Sequence, residues 1–89
     1  MPTTILSALA NETRLKLLLC LDQGEKNVTQ LIGKCGLSQS AVSQHLEKLR
    51  SVGLVATEKR GKEIFYKLTE PKTGKISSDI LLYLKEVDR

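Results

Sequence analysis

Apolar residues fall along this chain in short groups whose period changes at a few sharp points. Residues 4–10, with Ile5, Leu6 and Leu9, read as a short opening helix, and Asn11 and Glu12 restart a second one as N-cap and first-turn acid. Leu15, Leu17, Leu18, Leu19 and Leu21 leave that helix apolar around most of its circumference, the pattern of a central helix packed on several sides. It ends at Gln23, Gly24, Glu25 and Lys26. Asn27 with Gln30 three residues on forms a capping box, and Val28, Leu31, Ile32 and Cys35 follow at i, i+3, i+4 and i+7, so a short amphipathic helix begins there. Gly36 suits a left-handed helix end, Leu37 is an apolar plug, and Ser38 is an N-cap. A helix, a three-residue turn with glycine and a second helix make a helix-turn-helix.

The helix over residues 39–52 gathers Val42, Leu46 and Leu49 in one narrow arc, widened by Ala41 and Val52, and sets Ser40, Ser43, Gln44, Glu47 and Ser51 opposite. Two β-rich runs follow, 54–59 and 63–68, the second alternating at Ile64, Tyr66 and Leu68. Arg60, Gly61 and Lys62 join them as the basic tip of a hairpin. After Pro71 to Gly74, Ile76, Ile80, Tyr83, Leu84 and Val87 mark a stripe on a last helix, and Leu81 and Leu82 broaden it. A helix this apolar has more than one contact to make, which points to a partner subunit. The predicted fold is mainly α with a β-hairpin wing (α+β): one winged helix-turn-helix domain over residues 1–89, with the helix-turn-helix at 27–52 and the wing at 54–68.

Composition narrows the function. A domain of 89 residues buries only about two-thirds of its unfolded surface, so a dimer would help it. Three aromatic residues are too few for a base-stacking binder of single strands. The net charge of +4 points to a polyanionic partner, and the excess is local: residues 38–68 hold six Lys/Arg against three Asp/Glu. With no 18-residue apolar run and no basic, apolar leader at the N-terminus, no membrane association and a cytoplasmic location are expected. Cys20 and Cys35 are then expected to be reduced thiols, not a structural disulfide.

A recognition helix reads base edges with residues near its N-terminus, which nominates Ser38, Gln39, Ser40, Ser43 and Gln44. Glutamine can pair bidentately with adenine, and serine can donate or accept at several bases. On an arbitrary helix such residues merely face water; their place after the turn gives them a partner. Lys48, Lys59, Arg60 and Lys62 are expected at phosphates, with Arg60 also able to reach a neighbouring minor groove. His45, the single histidine, lies toward the Leu49 and Val52 side, where a packed or hydrogen-bonded ring fits best. Cys35 sits in an apolar stripe as an inert thiol. Cys20 shares the less apolar side of its helix with Lys16, whose ammonium would favour the thiolate, making Cys20 a candidate redox sensor. Two separated cysteines and one histidine fall short of a zinc site, so neither a metal nor a cofactor is expected. Ser43 and His45 point to different faces, and no Gly-rich phosphate loop is present, so an enzyme is not expected. The same fold can also serve as a protein-interaction module, which would show no salt-sensitive duplex binding.

Three strings, Ala8-Leu9-Ala10-Asn11-Glu12-Thr13-Arg14-Leu15, Gly36-Leu37-Ser38-Gln39-Ser40-Ala41-Val42-Ser43-Gln44-His45-Leu46 and Leu49-Arg50-Ser51-Val52-Gly53-Leu54-Val55, closely resemble the ArsR/SmtB family, as does the hairpin end Ile64-Phe65-Tyr66-Lys67-Leu68. The resemblance spans about residues 5–68. It implies a homodimeric repressor that leaves an inverted-repeat operator in double-stranded DNA when an effector binds. It also implies that the first and last helices (1–10 and 75–89) pair across the dimer, through Ile5, Leu6, Leu9, Ile76, Ile80, Tyr83, Leu84 and Val87. Gln39, Ser40, Ser43 and Gln44 match positions that contact DNA in such proteins, and His45 matches a frequent histidine, which keeps it as a secondary DNA-contact candidate. The effector is not implied. Metal-sensing members often carry Cys-x-Cys where this chain has Asn27 to Gln30, or Asp and His ligands on the last helix, where only Asp79 is comparable and Leu81 replaces a histidine. A redox-sensing subgroup pairs a cysteine of the second helix with one of the last. Cys20 is displaced by one position from the first, and the last helix has none.

Overall fold

The computed structural model describes residues 4–87, without the side chain of Cys35. Its elements run α1 (Ile5–Leu9), α2 (Glu12–Asp22), β1 (Lys26–Asn27), α3 (Val28–Cys35), α4 (Gln39–Ser51), β2 (Val55–Arg60), β3 (Glu63–Leu68) and α5 (Lys72–Val87). The outermost residues of the two expected dimerisation segments, 1–3 and 88–89, lie outside the described residues.

The first four helices start where a short polar side chain meets an orphan amide. Thr4 Oγ1 accepts from Ser7 N at 3.1 Å, Asn11 Oδ1 from Arg14 N at 3.0 Å, Asn27 Oδ1 from Gln30 N at 2.8 Å and Ser38 Oγ from Ala41 N at 3.2 Å. At Asn27 the box is closed, because Gln30 Oε1 accepts from the Asn27 amide at 2.9 Å. Gly36 ends α3 at φ 67°, a conformation that favours glycine, and its N–H bonds the Ile32 carbonyl at 2.9 Å. The helix-turn-helix is thus specified by local chemistry at both edges of its turn.

As the all-round apolarity of α2 predicts, this helix sits at the centre and touches α1, α3, α4, α5 and β3. Leu17, Leu18 and Leu21 join Leu31 of α3 and Val42, Leu46 and Leu49 of α4 in one core, closed at its edge by Leu54 and Val55. Among the described residues, no helix is long and apolar enough to cross a membrane.

Three expectations need correction. The wing is not a bare hairpin: β1 adds to it, giving a three-stranded antiparallel sheet in the order β1-β3-β2, with Lys26 opposite Tyr66 and Asn27 opposite Phe65. Nothing in residues 23–27 signals a strand, because the pairing is supplied by a segment about forty residues away. The hairpin loop is Gly61-Lys62 alone, since Arg60 still pairs with Glu63. Gly61 takes φ 63° at the first loop position, as a type II′ turn requires. Finally, α5 begins at Lys72, inside the stretch expected as a loop, because Thr73, Gly74 and Ser77 are buried where α5 crosses α2. A Cβ on Gly74 would overlap the Asp22 side chain, so the glycine permits the crossing.

Candidate nucleic-acid interface

Complete burial of Val42, Leu46 and Leu49 fixes the rotation of α4 about its axis, and the opposite face follows from it. Gln39, Ser40, Ser43 and Gln44 are all exposed near the N-terminus of the helix, as their positions predict. Leu37, half-buried against the core, anchors the turn that delivers them. Ser38 is exposed and spends its Oγ lone pair on the Ala41 amide, which leaves its O–H to donate outward. The result is an uncharged surface of amides and hydroxyls on a convex helix, a set of groups able to hydrogen-bond base edges.

Behind that face the structure places a pair the sequence did not nominate. His45 is half-buried, and its Nδ1 accepts from Arg14 Nη1 at 3.3 Å. Burial pushes the imidazole below its ordinary value, and the Arg14 charge lowers it further. Because an arginine only donates, Nδ1 is the acceptor and the proton of the neutral ring is assigned to Nε2. The expected packed or hydrogen-bonded ring is what the structure has. Arg14 carried a local signal only as a basic residue just after a cap; its partner is 31 residues away.

The wing divides its charges unequally. Lys59 and Lys62 are exposed, and Lys48 is half-exposed on α4. Among the described residues these three hold no ion pair. Arg60, by contrast, binds Glu25 Oε1 through Nη1 at 2.6 Å and Glu58 Oε1 through Nη2 at 3.0 Å, and it lies 4.8 Å over the Phe65 ring. Its two carboxylate partners raise its pKa well above the ordinary arginine value. Glu25 belongs to the turn after α2, so the pair ties that turn to the end of β2. Lys62 lines a crevice with Asn27 and Thr29, at the N-terminus of α3. Thr29 is a neighbour that the sequence did not single out, although its place in the first turn after a cap was legible.

Beside the wing, in β1, Lys26 is buried and donates from Nζ to the carbonyls of Cys20 at 2.8 Å and Gly24 at 3.1 Å, closing the C-terminal end of α2. Burial, and secondly the charge of Lys34, lower its pKa. Cys20 lies between these features and the core, and it is disulfide-bonded, which corrects the expectation of a reduced thiol. That expectation rested on compartment alone. The side chain of Cys35 lies outside the described residues.

The proposed dimer residues fall into two groups. Ile5, Leu6, Ile76, Tyr83, Leu84 and Val87 are exposed, with Leu6 at 77% and Tyr83 at 63%. Leu9 and Ile80 are half-buried, and Leu9 packs against the core of its own chain.

Residues 11–57 match the profile described as bacterial regulatory protein, arsR family, a span that takes in α2, the helix-turn-helix and the start of β2. The transcriptional activator HlyU of Vibrio cholerae is 48% identical over 65 residues, covering 73% of this chain and 60% of that protein. The nodulation protein NolR of Rhizobium meliloti is 46% identical over 71 residues, covering 80% and 58%. This chain therefore spans about three-fifths of the length of these relatives. The crystal structure of the transcriptional repressor BigR from Xylella fastidiosa matches with a TM-score of 0.77 and 36% identity, covering 88% of this chain and 80% of that one. The motifs at both ends of the turn, the winged fold and the spread of similarity agree: the chain belongs to the ArsR family of bacterial regulatory proteins.

Proposed function

We propose that this protein is a transcriptional regulator that binds double-stranded DNA as a homodimer and reads sequence with Gln39, Ser40, Ser43 and Gln44. The observation that carries the reading is the exposed, uncharged N-terminal face of α4 beside Lys48, Lys59 and Lys62, which hold no ion pair among the described residues. Uncharged donors and acceptors can discriminate bases, and flanking ammonium groups supply affinity for phosphates without regard to sequence. Two copies joined through α1 and α5 would present two such helices to successive major grooves about 34 Å apart, on an inverted repeat. In this reading the dimer works in the cytoplasm, represses by occupying its operator and leaves when an effector acts. Cys20, on the helix that contacts each of the other helices, is the candidate trigger.

Selecting bound duplexes from a random pool tests this directly. An inverted repeat should emerge, with affinity falling steeply between about 50 mM and 200 mM salt. Gln39→Ala should erode discrimination at one base position in each half-site; equal loss on the selected and a random duplex would remove the base-reading role. Repeating the binding in reducing and oxidising buffers, with Cys20→Ser as control, tests the trigger. An unchanged affinity in both buffers would dismiss it.

A further inference from the structure

α1 has five residues, too few to hold a helix by its own hydrogen bonds; the cap Ala10 N–H is shared between the Leu6 carbonyl at 3.1 Å and the Ser7 carbonyl at 3.2 Å, and the last turn takes further donors from outside the helix. The guanidinium of Arg14 provides such donors from the first turn of α2: Nε donates to the Ala8 carbonyl at 2.7 Å, and Nη2 adds a second bond to the Ser7 carbonyl at 3.2 Å. The same group reaches His45 on α4 through Nη1. Three elements thus meet on one planar, rigid fork, and the two it joins across α2 are the helix that exposes Ile5 and Leu6 and the helix that exposes Gln39, Ser40, Ser43 and Gln44. A guanidinium holding three acceptors in fixed directions transmits orientation as well as charge. A lysine could satisfy only one or two of them.

We propose that Arg14 is a positioning residue that sets the angle of α4 relative to α1 through the His45 ring, and so sets how Gln39 to Gln44 enter a major groove. The proposal rests on α4 being the DNA-reading helix. It gives His45 a role behind the helix instead of at a base. Base contacts depend on the angle of the helix because hydrogen bonds weaken steeply with misalignment, whereas lysine-to-phosphate attraction tolerates a tilt.

The test compares affinity for a selected duplex with that for a random one, in wild type, Arg14→Lys, His45→Leu, His45→Asn and the Arg14→Lys/His45→Leu double variant. Arg14→Lys and His45→Leu should each lower the ratio of selected to random affinity by about ten-fold, with random binding and its salt dependence unchanged. His45→Asn should keep the ratio, because the amide oxygen can stand near Nδ1 and accept from Arg14. The double variant should lose no more than either single one, as expected for two parts of one link. Additive losses, or a parallel fall in selected and random binding, would overturn the positioning role. If Arg14→Lys does not fold, the contrast between His45→Leu and His45→Asn decides alone, and equal ratios in those two overturn the proposal. A wild type without preference for any duplex would overturn the reading of α4 and this proposal together; a wild type that discriminates, with variants that discriminate equally well, overturns this proposal only.

Discussion

Gly74 lies in the first turns of α5, where alanine would ordinarily be the better helix former by about 1 kcal/mol. Here the order reverses, because the added Cβ would occupy the space of the Asp22 side chain. Gly74→Ala is expected to destabilise the fold by about 1–3 kcal/mol, the usual range for overpacking, in urea denaturation. Asp22→Gly in the same chain, which removes the Cβ as well as the carboxylate that the added methyl would meet, should recover part of that loss; no recovery would mean that the crossing of α2 and α5 is not limited by this pair. His45 gives a prediction of a different kind. Its pKa is held below the ordinary 6.5, first by burial and then by Arg14. In the window between the lowered value and 6.5 the unfolded chain takes up a proton that the folded chain refuses, so the stabilising effect of the neutral ring is complete above 6.5 and lost as the pH falls below it. Denaturation midpoints measured from about pH 7.5 down to about pH 5.5 should fall in wild type and fall less in His45→Asn, which has no proton to gain. Parallel pH profiles in the two proteins would exclude His45 as the source.

At the scale of elements the wing shows what local sequence can and cannot supply. A basic tip of Lys59, Arg60 and Lys62 was legible from composition, but the division of labour within it was not, because it depends on Glu25 from the turn after α2. A phosphate that recruits Arg60 must displace two carboxylates, whereas one that recruits Lys59 or Lys62 displaces water. Lys59→Ala and Lys62→Ala are therefore expected to lower the slope of log affinity against log salt by about one each, and Arg60→Ala by distinctly less. An Arg60→Ala slope change equal to that of the lysines would show that the arginine leaves Glu25 on binding DNA. The same contrast runs through the fold. Asn11, Asn27, Gly36 and Ser38 act on backbone groups within four residues, and each was found in its expected place. The strand β1, the early start of α5 and the Arg14–His45 link are fixed by distant segments, and no local pattern announces them. Long-range contacts override weak local preference most easily where the segment is short, as in the two residues of β1.

The whole molecule has a closed core around α2 and an open apolar side along α1 and α5. Leu6 and Tyr83 are among the most exposed large apolar residues, so the fold of a single chain makes little use of them, while an interface would use them fully. That asymmetry makes them the cleanest probes of the proposed dimer, because a charge at either site should leave the monomer intact. Leu6→Glu and Tyr83→Glu are expected to keep the melting behaviour of a folded chain and to shift the sedimentation equilibrium from dimer to monomer. A monomer engages one half-site at a time, so affinity for a full inverted repeat should drop by about a hundred-fold or more, the usual gain from joining two sites. Affinity for a half-site duplex should hardly change, since Leu6 and Tyr83 belong to α1 and α5 and to neither α4 nor the wing. The two measurements separate the readings of this surface. A variant that stays dimeric and binds the full operator as wild type does would place the dimer contact elsewhere; one that becomes monomeric yet keeps full operator affinity would show that each chain binds its half-site alone.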